Sequence, residues 1–410
     1  MNLLTKTIAL LAMVSSSLTA ESPIRPGDRI AIVGNTFADQ LRIHGYLETA
    51  LLLRTKGNPV SIRNLAWAGD TLDVRQRPTN FPTEAATLTA HRTDAIIACF
   101  GMGDSFAGEK GLPGFRKNLE AFIASHRRKK YNGRSEVRLI LVSPIACENL
   151  GRLTPNWSQR NNELAAYSRA MKEVADDQRI PFIDLLKPSS ELMMIGSGPN
   201  LTTNGIHLNA YGYWLMSRVM ADALLPGPQS WRIVVDAQSK KASARGAKVT
   251  TAKTGHELRF TVQVENPPSP APPAKGLNHG KLDANLNHLV VQNLAPGHYL
   301  LTVDGKTIAA ANHEQWAKGV VIDSTPVHKA AEAYRQAVND KNLQFTYSWK
   351  ALNQVHIVGE RKRSASGRSL PAEIIEFNKL ADQKDEALRD GIPLETHEWR
   401  LVRKSGKGQN

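Results

Sequence analysis

The sequence predicts an α/β protein: a first domain built on a parallel sheet with helices on both faces, then a small β domain, then a helical C-terminal tail. Three observations carry this expectation. From Gly27 to about Leu225, short runs rich in Ile, Val and Leu alternate with stretches whose apolar residues recur every three to four positions. After Pro226 the runs become short and alternating, with turn signals such as Ala295-Pro296-Gly297 and Asp304-Gly305 between them. From Pro326 two long helical patterns close the chain. Strands that alternate with helices make a parallel sheet buried on both faces, so each strand reads as a continuous apolar run.

In order, the expected strands of the first domain are "RIAIVG", "VSIRNLAW", "DAIIACFG", "VRLILVSP" and "IPFIDL". The expected helices are "DQLRIHGYLETALLLR", "PGFRKNLEAFIASHRR" and "NNELAAYSRAMKEVADDQ", with "AYGYWLMSRVMADALL" last. This domain is placed at residues 24–226. A small β-sandwich-like domain is placed at residues 227–324, from "WRIVVD", "ELRFTVQVE", "HLVVQNL" and "HYLLTVDGKTIAAA", interrupted by a flexible Pro-rich loop at 266–276. Residues 325–402 make the helical tail, "PVHKAAEAYRQAVNDKN" and "PAEIIEFNKLADQKDEALRD", with Phe345, Tyr347 and Trp349 between the two helices. That aromatic strip is read as the surface that docks the tail on the first domain; a sugar-stacking platform is the sharper alternative.

Length and composition bound the rest. A chain of 410 residues exceeds one ordinary core. With 41% hydrophobic and 22% charged residues it is a folded chain rather than a disordered one. Residues 1–20, "MNLLTKTIALLAMVSSSLTA", combine one positive charge, a short apolar stretch and a small residue at Ala20. They are read as a signal peptide, because the run is too short to span a bilayer well and Glu21-Ser22-Pro23 ends it abruptly. The expected location is periplasmic or extracellular, with no transmembrane segment. Cys99 and Cys147 are expected to be free and buried. No cofactor is expected, and no Cys/His spacing suits a metal. The net charge of +14 gathers in "HRRKKYNGR" (126–134) and "ERKRSASGR" (360–368). An exported protein rarely meets nucleic acid, so these are read as solvated loops, with contact to an acidic polysaccharide or cell envelope as the weaker alternative.

In a parallel sheet, ligands bind beyond the carboxyl ends of the strands. That rule brings Gly34-Asn35-Thr36, Gly69-Asp70, Gly101 to Ser105 and Ser143-Pro144 into one neighbourhood. In order, these turns and the later "NGIHLN" resemble the four blocks of the SGNH/GDSL hydrolases over about half the chain. Gly34-Asn35-Thr36 stands where that family has Gly-Asp-Ser. "NLAWAGDT" supplies Asn64 and Gly69, "GMGD" supplies Gly103 and Asp104, and Asn204 and His207 stand at the Asp-x-x-His positions. The surrounding "FAGEKGLPGFRKNLEAFI" and "LVSPIACENLG" also look like an exported bacterial subgroup with altered blocks.

The resemblance implies a three-layer flavodoxin-like fold and hydrolysis of an O-acyl ester, with acetyl groups on carbohydrate as the narrower expectation. It implies Thr36 as nucleophile or water positioner, His207 as base and Asn204 as the residue that orients the imidazole. Gly69, Gly103, Asp104 and Asn35 are the expected oxyanion and substrate-binding positions. Such chemistry needs a hydroxyl, a base, an orienting acid and oxyanion donors. Here the γ-methyl of Thr36 restricts χ1, Asn204 carries no charge, and Gly103 has no side-chain donor. Asp104 and Glu48 are the carboxylates considered as helpers of His207, and Ser105 and Ser143 the rival nucleophiles; each serine is more simply a turn residue. Thr36 taken alone reads first as a helix cap, and a chemical role for it rests on the company of the other blocks. Two rivals to the enzyme remain at this point: a binding protein for a glycan or envelope polymer that kept the pocket, and a purely structural envelope protein.

Overall fold

The computed structural model describes residues 22–77, 81–195, 198–227, 230–251, 257–273, 286–350 and 363–404. The expected signal peptide at residues 1–20 and residues 274–276 of the Pro-rich loop lie outside the described residues.

The first region holds strands β1 (Arg29–Gly34), β2 (Ser61–Asn64), β3 (Ala95–Cys99), β4 (Arg138–Val142) and β5 (Phe182–Ile183). They form one parallel sheet in the order β2-β1-β3-β4-β5. Side chains alternate across it. Ile30, Ile32, Ile97 and Val142 face one core, and Ala31, Val33, Ile96 and Leu141 the other. Between the strands run α1 (Thr36–His44), α2 (Tyr46–Arg54), α3 (Glu84–Ala90), α4 (Gly108–His126) and α5 (Trp157–Gln178), and α6 (Leu186–Met193) and α7 (Ala210–Leu224) follow β5. The first core is roofed by α1, α2 and α7, the second by α4 and α5. The α/β class and parallel sheet expected from the sequence are therefore present. One helix expected over residues 39–54 is in fact two, because Gly45 takes a left-handed backbone at φ 66° that ends α1 and starts α2.

The second region is two sheets. Strands β6 (Arg232–Asp236), β7 (Ala242–Arg245), β8 (Ala247–Thr251), β9 (Leu258–Val264), β10 (His288–Gln292), β11 (His298–Val303) and β12 (Lys306–Asn312) precede a short α8 (His313–Lys318) and β13 (Val320–Val321). One sheet has the order β13-β10-β6-β7. The other includes a strand from the far end of the chain, β14 (His397–Arg403), in the order β12-β11-β14-β9-β8. The sheets meet through Trp231, Phe260 and Trp399, whose rings lie 5.7 and 5.8 Å apart about Trp399. The end of the expected helical tail is thus a central strand. Its inward Trp399 and Leu401 alternate with outward Glu398 and Arg400, the period-two pattern of a half-buried strand. The described part of the Pro-rich loop is packed rather than free: Pro267, Pro268 and Pro270 are buried, and Pro270 O accepts the Trp214 indole N–H at 2.9 Å.

Helices α9 (Pro326–Trp349) and α10 (Ala365–Ala387) pack on each other, and α9 packs on α1, α2 and β2. The aromatic strip lies in the last turns of α9, not between the helices. Phe345 and Trp349 are buried and Tyr347 is exposed. Trp349 meets Phe81 and Trp67 edge-on, at 4.8 and 6.3 Å. Beside them, with the Arg63 guanidinium over the Phe345 ring, lies a charge cluster in which Lys341, Glu48 and Arg63 are buried and Asp382 is exposed. Lys341 pairs with Glu48 and donates to Ile62 O at 2.9 Å, while Arg63 pairs with Asp382 and Asp385 at 2.6 and 2.5 Å. Among the described residues, no helix is long and apolar enough to cross a membrane.

Candidate active site

The site begins where β1 ends. A side chain on Gly34 would strike the carbonyl of Cys99, so the two strand ends can lie this close only with glycine there. Asn35 N donates to Cys99 O at 3.1 Å, and Asn35 Oδ1 accepts the Phe37 N–H at 3.1 Å. Asn35 is therefore the N-cap of α1, and Thr36 is the first helical residue rather than the cap.

The loop after β2 is drawn alongside. Trp67 N donates to Gly34 O at 3.0 Å, and Asn64 binds Ala38 O and the Ala66 N–H at 2.7 and 3.0 Å. This brings the Gly69 N–H onto Thr36 Oγ1 at 3.2 Å. Gly69 has φ 87°, a left-handed backbone that glycine adopts without strain.

His207 arrives from a loop tied to the buried carboxylate of Glu148, which accepts the N–H groups of Leu201 and Thr202 at 2.8 and 2.7 Å. Glu148 N also donates to Gly205 O at 2.8 Å. Within the loop, Asn204 Oδ1 accepts the N–H of His207 at 3.0 Å and that of Ile206 at 3.3 Å. Its Nδ2 then lies 2.9 Å from His207 Nδ1. Because two backbone donors occupy the oxygen, the amide must present its NH₂ to the ring. A neutral His207 therefore accepts at Nδ1 and carries its proton on Nε2.

Asn35, Thr36, Gly69, Gly103 and His207 line one cavity of about 190 Å³, with Phe37, Met102, Phe106, Pro144, Ile145 and Ile206 as apolar wall. No hydrogen bond joins Thr36 to His207 among the described residues. Asn204 and Asp104 stand outside the lining. Asp104 staples two loops instead, accepting the Leu72 N–H at 3.0 Å and the Gly101 N–H at 2.9 Å. Burial holds its carboxyl above the usual carboxylate range.

The other carboxylate considered as a helper, Glu48, is not in the cavity. It is buried against Lys341 and Asn342, and burial raises its pKa despite that pairing. Ser105 Oγ is buried, donates to Met102 O at 2.8 Å and accepts from Arg160 at 2.8 Å. Ser143 lines the cavity, but its hydroxyl accepts the N–H groups of Leu185 and Leu186 at 2.8 and 3.2 Å. Both serines are turn residues with their oxygens in use. Cys99 and Cys147 are free and buried, and burial pushes both thiols up, away from reactivity.

Two residues of the site, Glu148 and Phe106, have no role in the sequence reading, and the partner of Asp70 is not foreseen there. Glu148 anchors the histidine loop. Asp70, in the cavity wall, is neutralised by a two-pronged contact with Arg77 at 2.9 and 2.6 Å. Phe106 is 63% exposed at the cavity, with the Arg160 guanidinium 4.0 Å from its ring centre. The run Gly-Asp-Ser-Phe at 103–106 marked this turn, but nothing in it told the exposed phenylalanine from a buried one.

Residues 27–215 match the family model described as GDSL-like Lipase/Acylhydrolase family. No curated protein matches the chain. Among solved structures, one described as a gut microbial diltiazem-metabolizing enzyme superposes with a TM-score of 0.68 at 16% identity, over 93% of this chain and 99% of the other. An acetylxylan esterase from Geobacillus stearothermophilus aligns over 50% of this chain and 96% of its own, with a TM-score of 0.39 at 16% identity. Another acetyl xylan esterase aligns over 48% of this chain and 100% of its own, with a TM-score of 0.38 at 19% identity.

Proposed function

Residues 27–215 belong to the GDSL-like lipase/acylhydrolase family, and from that premise we propose that the protein hydrolyses short O-acyl esters at the Thr36–Gly69–His207 cavity. The observation that carries the reading is the 3.2 Å contact between the Gly69 N–H and Thr36 Oγ1, in a cavity that His207 also lines. It sets a hydroxyl and a backbone donor side by side, as attack on an acyl carbon with capture of its oxyanion requires. Thr36 Oγ1 attacks the acyl carbon, and the N–H groups of Thr36 and Gly69 receive the carbonyl oxygen as it gains charge. His207 takes the hydroxyl proton at Nε2 once its own ring proton has moved to Nδ1, and returns it to the leaving alkoxide. Water then releases the acyl group by the same steps in reverse roles.

A cavity of this size with apolar walls suits a small acyl group such as acetyl. The exposed Phe106 ring beside it suits one face of a sugar, which favours an acetylated carbohydrate as substrate. Export rests on the N-terminal pattern of residues 1–20.

A second reading, a pocket that binds such an ester without cleaving it, is favoured by one observation. Asn204 leaves the neutral His207 with a proton on the nitrogen that would have to accept one. Hydrolysis of p-nitrophenyl acetate by wild type, Thr36→Ala and His207→Ala separates the two. A wild-type rate above both variants supports hydrolysis; equal background rates in all three remove it.

A further inference from the structure

A second cavity, of about 360 Å³, opens at the other end of the first sheet. It is bounded by the entries to β4 and β5, the ends of α4 and α5, and residues Ser22, Pro23 and Arg25. Parallel strands put it at their amino ends, so the five residues of β4, at about 3.3 Å each, separate it from the ester site. Among the described residues, five arginines line it (25, 127, 128, 138 and 179) against a single acid, Glu136.

Three of the five are engaged. Arg138 pairs with Asp28 at 2.5 Å and donates to Pro23 O at 3.0 Å, Arg127 reaches Gln178 O at 3.5 Å, and Arg25 also has a partner. Arg128 and Arg179 have neither an ion pair nor a side-chain hydrogen bond to any described residue. Both also hold left-handed backbone, with φ 62° and 55°, just past the ends of α4 and α5. Glycine is the residue that takes this conformation freely at a helix end. Attraction to the helix C-terminal carbonyls explains a cation nearby. Arg92, with φ 56° just past α3, is a third such position; what sets Arg128 and Arg179 apart is that both line the same cavity. The basic run at 126–134 supplies Arg127 and Arg128, so its first part is cavity wall as well as loop.

We propose that this cavity is a binding site for a tetrahedral oxyanion, a sulfate or phosphate group, held in the guanidinium forks of Arg128 and Arg179. The group can be a free ion or a substituent of an anionic polymer, and a polymer bound here would be held on the face opposite the ester site.

The test is titration calorimetry at low salt with two probes, inorganic phosphate and dextran sulfate, on wild type and on the Arg128→Gly/Arg179→Gly protein. Glycine suits both backbone positions, so the variant is expected to melt at or above the wild-type temperature while its affinity falls by about tenfold or more. Binding of phosphate assigns the free ion, and binding of dextran sulfate alone assigns the polymer. If neither probe binds wild type, or the variant binds as tightly, the proposal is wrong. The Arg128→Asn/Arg179→Asn protein, which also tolerates this backbone, gives the same comparison if the glycine variant does not fold. Hydrolysis of p-nitrophenyl acetate is expected to be unchanged in either variant.

Discussion

Asn204 gives its oxygen to the backbone and its NH₂ to His207: Oδ1 accepts the His207 N–H at 3.0 Å, and Nδ2 lies 2.9 Å from Nδ1 of the ring. An aspartate in this place would keep the first contact and reverse the second, because its other oxygen can only accept. It would draw the ring proton to Nδ1 and leave Nε2 free to take a proton from Thr36. In a serine triad the opposite change, Asp to Asn, costs about 10⁴ in turnover for this tautomer reason. Asn204→Asp is therefore expected to raise kcat on p-nitrophenyl acetate by about 10²–10⁴, with KM little changed. A fall, or no change, would show that the tautomer is not what limits the rate.

Thr36 carries the hydroxyl that the Gly69 N–H reaches at 3.2 Å. Its extra methyl narrows χ1 and stands beside the line of attack. Thr36→Ser keeps the oxygen, frees the rotation and is expected to raise kcat several-fold, while Thr36→Ala abolishes turnover above background. If serine lowers the rate, Thr36 positions water or caps structure and is not the nucleophile.

Gly103 stands where the family carries a side-chain donor, and the reason for the glycine is visible. A Cβ at 103 would lie 2.9 Å from Thr71 Cγ2. Thr71 is itself held in its turn, donating to Asp73 at 2.6 Å and accepting the Val74 N–H at 3.0 Å. Gly103→Asn alone is expected to lower the melting temperature without raising activity. Combined with Thr71→Ser, which removes only the obstructing methyl, it restores a third oxyanion donor, worth about 10²–10³ in kcat elsewhere. Equal effects of Gly103→Asn in both backgrounds, measured as kcat and melting temperature, would rule out the steric explanation.

These relations mark where sequence reasoning reaches. The parallel sheet was legible because strands buried on both faces leave unbroken apolar runs such as Ile30 to Val33. The meeting of Thr36 and Gly69 was legible because strand ends of one parallel sheet share an edge; His207, between α6 and α7, entered only through the resemblance of "NGIHLN" to the family's last block. The direction of the Asn204 amide was not, because it depends on two N–H groups of its own turn. Glu48 could be weighed as a helper only while its partner was unknown; Lys341, 293 residues away, removes it from the site. Strand β14 was missed because its alternation is seven residues long, follows two helices, and finds its neighbours β9 and β11 far back in the chain. Phe106 reads as an ordinary apolar residue until the structure leaves it exposed.

His328 makes the stability of the molecule depend on pH. Its ring is buried between Asn287 and Thr325, with Nε2 2.8 Å from Asn287 Nδ2 and Nδ1 2.8 Å from Thr325 Oγ1. Asn287 Oδ1 already accepts the Trp231 N–H at 3.0 Å, so its NH₂ faces Nε2 and a proton there would oppose it. Burial pushes His328 down to about 4 from the ordinary 6.5. Between those values the unfolded chain binds the proton and the folded one does not. The stabilisation is complete above pH 6.5, is lost as pH falls toward 4, and is level below that. At about 1.4 kcal/mol for each pH unit the loss is about 3 kcal/mol. His91, buried and lowered well below its ordinary value, adds to it in the same direction. The melting temperature is expected to fall steadily from pH 7 to pH 4.5, and to fall less in His328→Gln, which keeps a hydrogen-bonding side chain without the titration. The same slope in both proteins would remove His328 as a cause.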